Sequence, residues 1–190
     1  MGNKKEFYVV VDVETSGPNP GKYDLLSIGA CTITEPRKTF YIELIPKSEN
    51  YQEEAMGIHN LKFDELKISG TEPKEAFEKL AVWVKDITPE GYTPVFAAFN
   101  APFDWLFMTE YFYKHLGYNP FGHKAIDIKA LYMGLHPINW LDTSHKQISE
   151  HYIGKKELSH HALEDAIDEA ELLSKMLKEI KNLMERSEND

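Results

Sequence analysis

The stretch Phe7-Tyr8-Val9-Val10-Val11-Asp12-Val13-Glu14-Thr15 decides the fold. Its run of consecutive apolar, β-branched residues reads as a strand buried on both faces. Side chains two apart on a strand share a face, so Asp12 and Glu14 stand side by side at its end. Burying two like charges without compensation is costly, and a divalent cation removes that cost. Taken alone, the segment reads equally well as an exposed strand end carrying two ordinary surface acids.

Outward from this strand, Asp24 to Thr34 and Lys38 to Ile45 read as two further strands, joined at Glu35-Pro36-Arg37. With Phe7 to Val13 they form a three-strand meander. A less regular segment follows through Leu66. A helix is expected from about Glu72 to Ile87, with Thr71 as N-cap and Phe77, Leu80, Ala81 and Val84 facing inward. Pro94 to Phe99 reads as a buried strand leading into Asn100-Ala101-Pro102-Phe103-Asp104, where Pro102 opens a helix to about Leu116. A short strand at Ala125-Ile126 precedes a helix capped by Asp127. The last helix, about His161 to Glu185, carries an apolar stripe from Leu163 to Ile180, with Ser159 as its cap. Antiparallel strands first, then alternating helices and strands, argue for a mixed sheet flanked by helices.

At 190 residues, with 42% hydrophobic and 27% charged, the chain suits one domain with a substantial core. No apolar stretch is long enough to span a membrane. The single cysteine, Cys31, excludes an internal disulfide and points to a reducing, cytoplasmic setting. The net charge of −10 works against tight binding of long duplexes, which relies on many Lys and Arg contacts to phosphate. A short single-stranded footprint held by metal ions and stacking remains compatible with it.

Three more residues carry chemistry. Asp104 lies in the first turn of a helix, where an acid also suits the helix dipole. Asp165 flanks the stripe of the last helix, an ordinary place for a boundary acid. His160 precedes it by five residues, about 140° away on a continuous helix, so it reaches the same site only from a frayed helix start. The remaining histidines show no zinc-ligand spacing and read as surface residues. Lys155-Lys156 suits a solvated loop or a phosphate contact, and Trp83, Trp105 and Trp140 suit the core, with base-stacking platforms as the alternative.

Taken in order, Asp12-Val13-Glu14-Thr15-Ser16-Gly17, Asn100-Ala101-Pro102-Phe103-Asp104 and His160-His161-Ala162-Leu163-Glu164-Asp165-Ala166 resemble the three motifs of the DEDD exonuclease superfamily. The histidine five residues before the last aspartate is similar to the DnaQ-like, or DEDDh, branch. The resemblance runs from about Phe7 to Leu177. It implies an α/β, ribonuclease H-like fold: a five-stranded mixed sheet with helices on both sides. One exonuclease domain would span residues 1–190, with a core at about 7–177 and a frayed tail at 186–190. The implied reaction is metal-dependent 3′–5′ hydrolysis of single-stranded nucleic acid to nucleoside 5′-monophosphates.

The resemblance also implies roles. Asp12 would bridge two Mg²⁺ or Mn²⁺ ions, with Glu14 and Asp165 completing the first and Asp104 holding the second. His160 would be the general base. Thr15, Ser16, Gly17, Ile58, His59, Asn100 and Phe103 would meet the terminal nucleotide. Asn60 and Phe99 stand where the family usually has glycine and histidine. Phe7 to Ala30, and the stretch from Asn119 to Leu135, locally resemble ribonuclease T, an RNA-trimming member. Short single-stranded DNA and RNA are both expected substrates, DNA slightly favoured; RNA trimming and a catalytically silent binding module are the alternatives. Several single-domain relatives are homodimers, and a polymerase or repair partner is compatible but unnamed by the sequence.

Overall fold

In the computed structural model, which describes residues 5–154 and 157–187, five strands form one sheet in the order β3-β2-β1-β4-β5. They are β1 (Lys5–Thr15), β2 (Leu25–Thr32), β3 (Thr39–Glu43), β4 (Tyr92–Ala98) and β5 (Ala125–Asp127). β2 pairs antiparallel with both β1 and β3, whereas β4 pairs parallel with both β1 and β5. The sheet is therefore mixed, and the expected front meander is present.

The alternation along β1 divides the molecule into two layers. Val9, Val11 and Val13 enter one core with Phe77 and Leu80 of α3 (Pro73–Ile87) and Phe107, Met108 and Phe112 of α4 (Pro102–Leu116). Val10 enters the other with Ile128 of α5 (Ile128–Leu135), Ile148 of α6 (His145–Tyr152) and Ala166, Ala170 and Leu173 of α7 (Ala162–Ser187). Asp12 and Glu14 continue the Val10 face, and α7 covers it.

Two short helices, α1 (Glu53–His59) and α2 (Phe63–Ser69), occupy the segment expected to be irregular. At seven residues each they are too short to be stable alone and depend on packing. The helix α6 also went unforeseen, although Ser144 and Gln147 form a capping box at its start. Two expected caps are corrected. Thr71 is drawn into pairing with the end of β3, its N–H donating to Glu43 O at 2.8 Å, and Glu72 precedes α3 instead. Ser159 stands outside α7, which opens at Ala162. Asp127 does cap α5, accepting from Ala130 N–H at 3.0 Å. The tail expected to fray begins inside α7, which includes Arg186 and Ser187; Lys155, Lys156 and residues 188–190 lie outside the described residues.

How closely α7 approaches the sheet is set by Gly29 of β2, the register partner of Asp12. A Cβ on Gly29 would lie 2.2 Å from the carbonyl carbon of Ala162 and 2.3 Å from the amide nitrogen of Leu163. Backbone meets backbone here, and Ala162, Ala166 and Ala170 continue the close contact with small side chains. Gly29→Ala is expected to push the start of α7 off the sheet. A loss of about 1–3 kcal/mol, typical of overpacking, should appear as a lower denaturant midpoint. An unchanged midpoint would show that α7 is not seated by this contact.

Candidate active site

Asp12 and Glu14 leave the end of β1 on the face that α7 covers. Asp165, in the first turn of α7, is only 3% exposed. One oxygen from each of the three lies within 4.8 Å of the others. Asp104, 4% exposed in the first turn of α4, approaches from beyond β1 and accepts Val13 N–H at 3.1 Å through Oδ1. Among the described residues, none of these acids forms an ion pair with Lys or Arg.

The electrostatic result is mutual repulsion in a poorly solvated place. Burial, then the carboxylates of Glu169, Asp104, Glu14 and Asp165, push the Asp12 carboxyl well above the usual range. Burial first and Asp165 second push Glu14 up to about 8. Asp104 is also raised, mainly by burial, although the Val13 N–H opposes the rise. These carboxyls are held where their charged forms lack a counter-charge.

His160 lies two residues before α7 with φ +56°, a left-handed conformation. The helix begins after it, which resolves the angular mismatch of a five-residue spacing. Two contacts hold the loop. Ser159 donates from both its backbone N–H (2.9 Å) and its hydroxyl (3.0 Å) to Asp165 Oδ1. His161 stacks on Tyr41 of β3, with ring centroids 4.6 Å apart. His161 is thus tied to the sheet, while His160 is exposed and close enough to His59 for their charges to interact.

A cleft of about 320 Å³ adjoins the acids, lined in part by Glu14, Thr15, Gly17, Ile58, His59 and Phe103. Ile58 is half exposed and presents an apolar wall. His59 is buried: its Nδ1 accepts Leu61 N–H at 3.1 Å, so Nε2–H donates to Thr15 O at 3.3 Å. Asn60 takes the left-handed position ending α1, with φ +59°, which accounts for the glycine usual there. Asn100 is left-handed too, at φ +63°, and is exposed at the turn before α4.

Two expected contact residues are committed to the fold. Ser16 is fully buried; its hydroxyl donates to Asn50 O and accepts Asp24 N–H. Gly17 lies under the Tyr23 ring, 2.4 Å from where a Cβ would stand. Thr15 is buried as well, with its hydroxyl on Gly17 O. These residues brace the loop, and only its backbone edge is available to a ligand.

Two expectations about aromatic residues fail. Trp140 is 43% exposed, outside the core. His145 is buried, its ring edge-on to Phe99 at 5.2 Å. Glu169 was missed altogether. It is buried four residues after Asp165, accepts Phe99 N–H at 3.2 Å, and is raised by burial and then by Asp104. The i, i+4 spacing from Asp165, between Ala166 and Ala170 of the stripe, was the available signal. Cavities of about 420 and 440 Å³ open at the other end of β1 and β4, and one of about 410 Å³ lies between the start of α4 and β5; none is lined by these acids.

The five-stranded mixed sheet, with three carboxylates converging at the end of β1 and a fourth beside it, has the fold of the DEDDh exonucleases. Residues 9–173 match the family described as exonuclease, of RNase T type, and the chain belongs to that family of 3′–5′ exonucleases. It is 43% identical over 172 residues to the 3′-5′ DNA exonuclease Cap18 of Escherichia coli, covering 90% of this chain and 92% of that protein. Among solved structures, the nuclease domain of 3′hExo, a DEDDh family member bound to rAMP, aligns with a TM-score of 0.78 at 15% identity. That alignment covers 94% of this chain and 95% of that one. E. coli Exonuclease I in complex with a dT13 oligonucleotide aligns at 0.72 and 15% identity over 96% of this chain and 43% of that one. No described helix is long and apolar enough to cross a membrane.

The raised acids set a pH dependence. Glu14 rises from an ordinary 4.5 to about 8 in the fold, so folding favours its neutral form. Its contribution to stability is full below about pH 4.5 and is lost as pH rises through about 8. The metal-free protein is therefore expected to lose stability across that window, and Glu14→Gln should lose less. Mn²⁺ at a hundred times its dissociation constant should restore about 2.7 kcal/mol at pH 8, reversed by EDTA. Equal pH slopes for the two proteins in thermal melts would refute the assignment.

Proposed function

We propose that this protein removes nucleotides one at a time from 3′ ends of single-stranded DNA, releasing nucleoside 5′-monophosphates. The observation that carries the reading is the trio of carboxylate oxygens of Asp12, Glu14 and Asp165, within 4.8 Å of one another and without a cationic partner among the described residues. The oxygen-only donor set suits a hard divalent cation such as Mg²⁺ or Mn²⁺. Asp12, Glu14 and Asp165 would hold one ion, and Asp12 with Asp104 a second. Such ions supply Lewis-acid activation of water and neutralise charge at a leaving oxygen.

The chain's own groups account for the rest. His160 takes a proton from the attacking water, the general-base role that imidazole most often fills. The water oxygen bonds to phosphorus, and the bond from phosphorus to the 3′-oxygen of the preceding nucleotide breaks. That oxygen leaves and is protonated. Ile58 and Phe103 wall the cleft against the terminal base and His59 lines it beside them; Asn100, exposed at the turn before α4, would meet the same nucleotide. The fixed Ser159–Asp165 and His161–Tyr41 contacts keep His160 at the mouth without making it part of a helix.

The similarity to Cap18, a 3′-5′ DNA exonuclease, supports DNA as the substrate. Nothing in the cleft lining is chemically specific for a 2′-hydroxyl, the group that separates RNA from DNA. RNA is thus a slower substrate of the same site.

On a 5′-labelled single-stranded oligonucleotide with Mn²⁺, a descending ladder is expected, and a 3′-phosphate should block it. Asp12→Ala should retain less than a tenth of the activity. His160→Ala should lower the maximal rate by roughly 10²–10⁴. His161→Ala should cost stability through the lost Tyr41 stack and leave the rate mostly intact. Cleavage of a covalently closed circle would refute exonuclease action.

The sugar preference is tested by two oligomers of one sequence, differing only in the 2′-hydroxyl, at equal Mg²⁺. DNA should be digested faster. A preference for RNA beyond tenfold would reassign the enzyme to RNA trimming of the ribonuclease T kind.

A further inference from the structure

Beside the acids, at the ends of β4 and β5, an aromatic and basic surface stands apart from the terminal-nucleotide cleft. The Lys129 ammonium lies 4.5 Å from the centroid of the Trp140 ring and 5.8 Å from that of Phe99. Phe99 in turn packs against the buried His145 ring at 5.2 Å. Trp140 is 43% exposed, and its neighbour Leu141 is 90% exposed. The chain carries a net charge of −10, yet no carboxylate among the described residues forms an ion pair with Lys129. An ammonium held between two rings, without an acid partner, is positioned to meet an anion from outside.

The surface is continuous with the acids. Phe99 N–H donates to Glu169, whose charge acts on Asp12. Asp127, two residues before Lys129, acts on Asp104. The sheet order places β4 next to β1 and β5 outside it. The terminal cleft lies at the end of β1 against α1, so the acids stand between the cleft and the Lys129–Trp140 surface. A strand whose 3′ nucleotide fills the cleft puts its last phosphodiester over the acids. The preceding nucleotides then run onto the end of β4 and the start of α5.

We propose that Lys129 and Trp140, with Phe99 beneath them, form a second subsite that holds the part of the DNA strand 5′ to the cleaved linkage. Trp140 stacks on a base and Lys129 contacts a backbone phosphate. Both interactions are indifferent to sequence, as single-strand binding requires. The proposal rests on the single-strand exonuclease reading above.

The test compares two substrates in Mn²⁺: a single-stranded DNA octamer, and the p-nitrophenyl ester of thymidine 5′-monophosphate, which has no upstream nucleotide. For Trp140→Ala, the ratio of kcat/KM on the octamer to that on the ester should fall at least about fivefold, the low end of one base–aromatic stack. The loss should lie in KM, and Trp140→Phe should recover most of it. For Lys129→Ala, KM for the octamer should rise, and its logarithmic salt dependence should weaken by about one phosphate contact. Ratios within twofold of wild type in both variants, with both substrates cleaved, would overturn the subsite and leave the nuclease reading intact. A wild-type protein that cleaves neither substrate would overturn the reading and the subsite together.

Discussion

The contact of α7 with the sheet at Gly29 is the constraint on which the site depends. Asp12 and Asp165 are 153 residues apart in sequence. They meet because the backbone of Ala162 and Leu163 lies directly on Gly29, the residue paired with Asp12. A methyl group there would force the helix outward, and Asp165 with it. The same approach sets His160, because Ser159 is anchored on Asp165 and His161 on Tyr41. One close backbone contact thereby fixes the third acid and the histidine relative to the first two. The alanines at 162, 166 and 170 extend it along the helix at little cost in side-chain entropy.

The site works against the stability of the metal-free fold. Asp12, Glu14, Asp104 and Glu169 share a poorly solvated volume beside Asp165, and burial first, then neighbouring carboxylates, push those four carboxyls up. A structure selected for stability alone would place apolar side chains there. What tolerates the arrangement is the size of the two cores on either side of β1, together with local donors. Val13 N–H serves Asp104, Ser159 serves Asp165, and Phe99 N–H serves Glu169. Among the described residues no such donor serves Asp12, so its oxygens are left open.

What was legible in the sequence follows from the range of the forces involved. β1 was readable because alternation and burial are local properties, and its two acids stood out against a valine run. α4, α5 and α7 were readable from Pro102, from Asp127 and from the apolar stripe. The short helices α1 and α2 were not, because their stability comes from packing rather than from their own residues. Ser159 looked like a cap because a serine before a helix usually is one; its hydroxyl donates to Asp165 and accepts His161 N–H, a residue still outside the helix that opens at Ala162. Gly29, Tyr41 and Glu169 carry no local signature strong enough to single them out. Each acquires its role only when α7 lands on β2 and β3. Trp140 was misread for a similar reason: burial is decided by what the loop before α6 packs against.

An acidic protein that handles a polyanion must confine its attraction to small places. Long-range steering is unavailable to a surface of net charge −10. Each contact must then act at short range, where net charge matters least. Divalent ions, if held by the acids as proposed, would reverse the local sign there. Stacking on an exposed indole is indifferent to the charge of the rest of the molecule. Lys129, its ammonium over the Phe99 and Trp140 rings and without an acid partner among the described residues, would act on a phosphate only at short range. These are the interactions expected of an enzyme that grips a few nucleotides at an end and lets a duplex go, because a duplex offers many phosphates but no free base faces.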